Sequence, residues 1–290
     1  MTPTPRDSEF DDDPQAPPLP PQIAALLEAS PAREAESAPR TTALYAPMDT
    51  GELLVSDDRG ESWAARSLLP AHDAAGLVAC PRAGHMFLAS TRGVVYRSFD
   101  GGLDWVPVGS IPDDDASDLI MAPDRSLLVL TRSGLLYRSA DEGVSFKALS
   151  ALPDGDYIAA GLSEEGALCV LDRSGAVAWS SSWGSAWSPR TRIPHHPVVA
   201  LQSWRRALTV LIETGEILLS RDDAATWESR ARLGGAPWVD LAAGEETLYA
   251  VSASGVVAAS PDATNWVRLG GLGRPGVLAL AAACGGRGGG

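Results

Sequence analysis

Basic charge, and lysine above all, is scarce in this sequence. Lysine and arginine together number 23 against 37 aspartates and glutamates, Lys147 is the single lysine, and the formal net charge is -14. A protein that binds nucleic acid or an anionic membrane surface needs a positive patch that neutralises phosphates. The charge balance therefore argues against both as main partners and leaves a protein partner as the expectation.

Cysteine is also rare, and the three that occur lie far apart. Cys80, Cys169 and Cys284 show neither metal-ligand spacing nor a disulfide framework. Cys80 and Cys169 stand in apolar stretches and are predicted to be buried thiols. No Gly-rich phosphate loop opens a helix, and no catalytic triad spacing is visible. We therefore expect neither a metal nor a cofactor.

Long apolar runs and a targeting signal are missing as well. No stretch of about 20 apolar residues occurs, so no membrane-spanning helix is expected. The N-terminal residues lack the basic start and apolar run of a secretory signal. Since 45% of the 290 residues are hydrophobic, the sequence predicts a soluble, cytoplasmic protein with a sizeable core.

What the sequence does contain is an internal repeat of about 40 residues. The pattern Ser-x-Asp-x-Gly-x-x-Trp occurs six times with some decay, and its closing aromatic residues are 42, 41, 41, 40 and 39 residues apart. A turn glycine keeps the same period, at Gly51, Gly93, Gly134, Gly175, Gly215 and Gly255. We call the six stretches the repeat loops, and their matching residues are Ser56, Asp58, Gly60, Trp63; Ser98, Asp100, Gly102, Trp105; Ser139, Asp141, Gly143, Phe146; Ser180, Gly184, Trp187; Ser220, Asp222, Trp227; and Ser260, Asp262, Trp266.

The residues of a repeat loop have a local structural role. The aspartate can accept hydrogen bonds from backbone N–H groups of the loop, and the glycine permits a positive φ in the tight turn. The aromatic ring is predicted to pack beneath the loop and to pin the third strand of the unit to the fourth. Ser182 replaces the aspartate and Ala224 replaces the glycine in two loops, so both loops are expected to be weaker.

Each repeat has the pattern of four short strands. In the third unit these are "DLIMA", "LLVLT", "LLYRS" and "SFKAL", separated by turn residues. A lone four-stranded sheet leaves both faces uncovered, and radial packing of several such sheets buries them. The sequence therefore predicts an all-β fold over residues 42–284, a six-bladed β-propeller. The first unit has only the second to fourth strands, and Val277–Ala283 is expected to supply the missing first strand and close the ring.

The repeat loops resemble Asp-boxes, or BNR repeats, which occur in sialidases, in photosystem-assembly propellers of the Ycf48 type and in several glycosidases. The resemblance covers residues 42–284 and implies the fold rather than an activity. Sialidases use three arginines, a tyrosine nucleophile with a glutamate, and an aspartate as acid/base. Their first arginine belongs to an Arg-Ile-Pro motif near the N-terminus, but here Arg192–Pro194 lies in the fourth blade, and only Tyr157 lies near an inter-blade link.

Candidate site residues lie on the face opposite the repeat loops. Arg92, Arg132 and Arg173 occupy the same turn in three successive blades. They form either an anion clamp or a solvated position that the repeat has copied three times. The links between blades add acidic residues, among them 113–115, which are either a cation site or a solvated charge run. His195 and His196 lie in such a link, and a metal site there remains an alternative to the expected absence of metal.

The first 41 residues differ in kind from the rest. They are rich in proline, acidic at "SEFDDD" and without strand periodicity, so they are predicted to be disordered. Within 22–30, Ile23, Leu26 and Leu27 can share one face of a short helix that either docks into a partner or has no role. Residues 285–290 are predicted to be a flexible tail.

These observations favour a noncatalytic propeller scaffold for protein–protein interaction or assembly. The alternatives are a glycoside hydrolase of the sialidase type and an anion or small-ligand binder at the mouth of the ring. An enzyme needs a concave pocket in which a buried acid of raised pKa lies beside an arginine cluster. A scaffold needs only a shallow surface with suitable patches.

Overall fold

The structure is a computed structural model, and it describes residues 42–80, 84–163, 166–194, 197–235 and 237–283, with the backbone alone at Ser150. The predictions for residues 1–41, for His195 and His196, for Cys284 and for the tail 285–290 fall outside these residues.

All regular structure in the described residues is β-strand, and nothing there forms a helix that could cross a membrane. In chain order the strands are β1 (Ala43–Pro47), β2 (Glu52–Ser56), β3 (Ala64–Leu68), β4 (Ala74–Ala79), β5 (Met86–Ser90), β6 (Val94–Ser98), β7 (Val106–Ser110), β8 (Ala116–Met121), β9 (Leu127–Thr131), β10 (Leu135–Ser139), β11 (Lys147–Ala151), β12 (Tyr157–Leu162), β13 (Leu168–Asp172), β14 (Ala176–Ser180), β15 (Ser188–Arg192), β16 (Val198–Trp204), β17 (Ala207–Ile212), β18 (Glu216–Ser220), β19 (Glu228–Arg232), β20 (Trp238–Ala243), β21 (Leu248–Ser252), β22 (Val256–Ser260), β23 (Val267–Gly271) and β24 (Ala281–Ala283).

The strands form six four-stranded antiparallel sheets, which are the blades of a β-propeller. Blade 1 has the order β24-β1-β2-β3, and blades 2 to 6 take four consecutive strands each, from β4–β7 to β20–β23. The first strands of successive blades contact one another around the centre of the ring. The predicted fold class, the number of blades and the closure of the ring are therefore confirmed.

The ring closes through the C-terminal strand. β24 pairs antiparallel with β1, so that Leu44 lies opposite Ala282. Before β24 the chain already bonds to blade 1, through a bridge between Val277 and Met48. The predicted strand Val277–Ala283 thus pairs with the predicted partner, but only its last three residues form a continuous ladder.

The core lies between the blades. β9 is buried along its whole length, whereas β3, at the outer edge of its blade, is exposed or partly exposed throughout. The second strand of a blade is a continuous apolar run because neighbouring blades cover both of its faces. Each of five buried apolar clusters combines side chains of two successive blades. Cys169 belongs to one of them, and burial raises the pKa of its thiol to about 12.

The turn glycines perform the role predicted from their period. All six have a positive φ, between 76° and 92°. The N–H of each donates to the carbonyl three residues before it, as Gly93 does to Ser90 at 2.9 Å. The carbonyl of each glycine accepts from a buried leucine or isoleucine just after the fourth strand, as Gly93 does from Ile111 at 3.0 Å. This contact holds the start of every link against the turn.

The repeat loops form the hydrogen bonds expected of them. In five loops the N–H at the glycine position donates to the serine Oγ at 2.7 to 3.0 Å. Bonds from Ser62 and then from Ser56 hold the pKa of Asp58 at about 2, because they stabilise its charged form. Ala224 keeps this geometry at φ 62°. Alanine at this position therefore lowers stability through backbone strain and not through the loss of a hydrogen bond.

The aromatic residues of the repeat loops lie at the blade interfaces. Trp105 packs in one cluster with Leu53 and Val55 of the preceding blade, and Trp227 packs in another with Cys169 and Val177. The prediction that these rings pin the third strand of their own blade to the fourth did not include these contacts with the preceding blade. The contacts of these rings with the preceding blade mean that their repeat loops also help to hold neighbouring blades together.

The loop of blade 4 offers a direct test of the aspartate's role. Its Ser182 accepts a single backbone bond, from Ala186 at 3.1 Å, whereas Asp141 accepts from both the N–H and the hydroxyl of Ser145. We expect Ser182→Asp to stabilise the protein by about 1 kcal/mol and Asp141→Ser to destabilise it similarly, each visible as a shift of about 3 °C in thermal midpoint. Differential scanning calorimetry measures both, and shifts of the same sign would contradict the role given to the carboxylate.

Candidate functional site

The link face is the face opposite the repeat loops, and it carries the turns between second and third strands together with the inter-blade links. It brings Arg92, Arg132 and Arg173 to equivalent turns, as predicted. Arg132 and Arg173 both contact Asp156, at 3.6 and 2.9 Å, and Arg92 lies 3.8 Å from Asp73. The arginines are thus paired with link carboxylates, which reduces the positive potential that an anion clamp would need.

The acidic link 113–115 is engaged within its own blade. Tyr137 donates its hydroxyl to Asp113, and burial together with this carboxylate raises the pKa of Tyr137 to about 12. Asp115 accepts the N–H of Ser133 at 2.8 Å. These bonds stabilise the link and keep the phenol protonated.

The residues that sialidase chemistry would need have structural partners. Tyr157 donates its hydroxyl to the Pro153 carbonyl at 2.9 Å, and burial raises its pKa. Arg192, of the Arg-Ile-Pro stretch, donates to the carbonyl and hydroxyl of Ser174 at 2.8 and 3.0 Å. Among the described residues no group of three or more potential metal ligands comes together. The described link face therefore shows neither an activated nucleophile nor a metal centre.

The centre of the ring contains a cavity of about 310 Å³. Its walls come from the first strands of the blades and are mostly apolar, with Leu77, Ile120 and Leu280 among the lining residues. The polar lining side chains are Asp118, Gln202 and Ser203, and none of the described lining residues is basic.

Asp118 joins two blades at this cavity. Its carboxylate accepts the N–H of Leu119 at 2.7 Å and that of Ala160, in the next blade, at 2.8 Å. Burial outweighs these bonds and raises its pKa to about 6. Asp118 as a whole residue is partly exposed, and it is one of the residues that line the cavity.

Asp240 repeats this arrangement in blade 6, three blades away. It accepts from Leu241 and from Leu280 of the next blade, both at 2.7 Å. Burial raises its pKa to about 7, and the charge of Asp118 adds to the effect. The charge of Asp118 therefore acts on Asp240 across the ring.

Sequence reasoning missed both of these acids. They lie inside strands, at "ASDLIM" and "WVDLAA". A residue within a strand was interpreted as part of the blade and not as part of a site. The available signal was an Asp-Leu pair at the same position of the repeat, three repeats apart. An ionisable residue in an apolar first strand points towards the channel or the blade interface.

No protein-family profile matches the sequence, and no curated protein sequence matches it. Solved structures do resemble the fold. A chain of the nidogen/laminin complex superposes with a TM-score of 0.71 at 10% identity and covers 85% of this chain and 99% of its own length.

Two further structures carry known ligands or activities. YCF48 bound to a D1 peptide has a TM-score of 0.55 at 18% identity and covers 79% of this chain and 77% of its own. Virginiamycin B lyase from Staphylococcus aureus has a TM-score of 0.57 at 12% identity and covers 78% of this chain and 83% of its own. At these identities the likeness shows the β-propeller fold and leaves the function to be argued from the site.

Proposed function

We propose that this protein is a noncatalytic scaffold of the Asp-box type that binds a partner protein on its link face. The observation that carries the proposal is the charge network of Arg132, Asp156 and Arg173, which are all about half exposed and span two blades. Charged pairs that are held on rigid turns fix how two partners are positioned in an interface and which partner is chosen.

Similar propellers in protein complexes support a binding role. One neighbour comes from the nidogen/laminin complex and another is bound to a D1 peptide. The internal bonds of the repeat loops support the Asp-box assignment, because the serine and aspartate serve the loop itself. The N-terminal residues 1–41, with Ile23, Leu26 and Leu27, are proposed as a tether to the same partner, in the cytoplasm.

Enzymatic activity is less well supported by the site. A feature that an enzyme would share is a cavity with an acid of raised pKa, Asp118. The arginines that a sialidase-type pocket requires are on the link face and do not line this cavity. Two carboxylates near the channel would also repel an acidic sugar.

Partner capture before and after removal of the charge network tests the proposal. Tagged wild-type protein and the Arg132→Ala/Arg173→Ala variant are used as baits in the native cell, and captured proteins are quantified by mass spectrometry. We expect the specific partner to bind the variant about tenfold more weakly, as loss of central interface contacts does.

Arg221 is an exposed arginine within the repeat loop of blade 5, so Arg221→Ala is the matched control and should retain the partner. Equal capture by all three proteins would contradict the link-face interface. Turnover of a fluorogenic sialoside by the purified wild-type protein would contradict the noncatalytic assignment.

A further inference from the structure

The central cavity has a composition that selects for one class of ligand. An apolar wall with a few convergent polar groups is the usual make-up of a small-molecule site, and about 310 Å³ lies at the lower end of the usual size range. The polar groups here are a carboxylate at Asp118, an amide at Gln202 and a hydroxyl at Ser203. All three have oxygens that can accept hydrogen bonds.

The charge around the cavity is negative and is not balanced by a basic side chain among the described lining residues. Asp118 lines the wall directly. Asp240 bonds to the lining residue Leu280 from the opposite side of the ring, and the charge of Asp118 raises the pKa of Asp240. A cation in the cavity would relieve this repulsion.

We propose that the channel binds a small organic cation, an ammonium group on an apolar body, with Asp118 as its counter-ion. The ammonium would donate to Asp118 and Gln202, and the hydrocarbon part would contact the apolar wall, such as Ile120 and Leu280. Burial of apolar surface and a charge-assisted hydrogen bond would then act together. This inference is independent of the proposed function.

A metal ion fits the same cavity less well. Hard cations such as Ca²⁺ take six to eight oxygen ligands, whereas the described lining offers only three polar side chains, and no three His, Cys, Asp or Glu side chains come together among the described residues. Both oxygens of Asp118 already accept a backbone N–H. Each retains a lone pair for one further donor, which suits an ammonium.

Calorimetric titration with three probes of one length tests the proposal. Hexylamine is the cationic probe, and hexan-1-ol and hexanoate are its neutral and anionic counterparts. At pH 8 we expect hexylamine to bind and the other two probes to bind at least about tenfold more weakly. Equal binding of all three would show apolar partitioning only and would overturn the proposal, as would no binding of hexylamine.

Two further measurements assign the binding to Asp118. Asp118→Asn should weaken hexylamine binding about tenfold or more, while Asp154→Asn, on the exposed link between blades 3 and 4, should leave it unchanged. Unaltered binding by Asp118→Asn would overturn the assignment.

The second measurement uses the wild-type chain alone, in case Asp118→Asn does not fold. A cation favours the charged carboxylate, so binding at pH 6 should release protons, which titrations in buffers of different ionisation enthalpy detect. The absence of proton release at pH 6 would also count against the proposal.

Discussion

Removal of residues 274–290 is expected to abolish the cooperative unfolding of the propeller. The deletion takes away β24 and leaves the buried edge of β1 without its partner. It also removes Val277 and Leu280, which are 6% and 4% exposed. Burial of two such side chains is worth roughly 3 to 6 kcal/mol, which is comparable with the whole stability of many domains.

The loss should exceed that of an ordinary terminal strand because this strand joins two blades. Leu280 donates its N–H to Asp240 of blade 6, while Leu44 of blade 1 lies opposite Ala282. Without β24, blades 1 and 6 each expose a face that the ring otherwise covers. An open ring also has sheet edges that favour association with other chains.

Truncation after Ala283 is the matched control, because it keeps every residue of β24. Urea unfolding followed by circular dichroism should show a sharp transition for the control and a broad one, at lower urea, for the deletion. Addition of a synthetic peptide with residues 274–283 should restore part of the lost stability. Identical transitions for both truncations would contradict closure by the C-terminal strand.

The sequence was sufficient for the architecture because its evidence is local to each repeat. The φ of Gly93 and the bonds of Ser98 and Asp100 belong to turns of a few residues. Such turns recur with a fixed period, and their number equals the number of blades. The first repeat lacks a first strand, and the C-terminal end contains a predicted strand, Val277–Ala283, that has no second strand after it and can complete the first blade.

The site was less accessible to sequence reasoning because its contacts cross between blades. Asp156 joins Arg132 to Arg173, and Asp118 reaches Ala160, 42 residues away. Pairings at this distance depend on the rotation from one blade to the next, which a single sequence does not specify. The sequence therefore predicted that the three arginines occupy equivalent turns, whereas their pairing with aspartates was visible only in three dimensions.

The two channel carboxyls are expected to make the protein less stable at pH 8 than at pH 5. Both carboxyls have a folded-state pKa raised from 3.8, to about 6 for Asp118 and to about 7 for Asp240, chiefly because burial disfavours their charged forms. A raised pKa in the folded state contributes stability that is fully present below about pH 4 and is lost as pH rises through 6 and 7. Between pH 5 and pH 8 the loss is on the order of 1 to 3 kcal/mol for each carboxyl, because about one pKa unit of the shift of Asp118 and about two of that of Asp240 lie above pH 5.

Other titratable groups do not mask the loss of stability between pH 5 and pH 8 that is expected from the two carboxyls. Asp58, Asp141 and Asp222 of the repeat loops have lowered pKa values, about 2 for Asp58, so their contribution to stability is lost only in more acidic solution. Any other group that titrates between pH 5 and 8 is common to the wild-type chain and to its channel variants. The difference between the two chains therefore isolates the carboxyls.

Asp118→Asn/Asp240→Asn is the variant that tests the prediction, because asparagine keeps the volume and one acceptor but cannot ionise. Each substitution sets an amide N–H₂ against a backbone N–H, so at pH 5 the variant should be less stable than wild type by about 1 kcal/mol for each lost bond. By pH 8 ionisation of the two carboxyls has lowered the stability of the wild-type chain but not that of the variant. The urea midpoints of the two proteins should therefore converge or cross. Parallel dependence of both midpoints on pH would mean that the carboxyls ionise as freely in the ring as in the unfolded chain, and it would contradict the penalty that burial is inferred to impose on their charged forms.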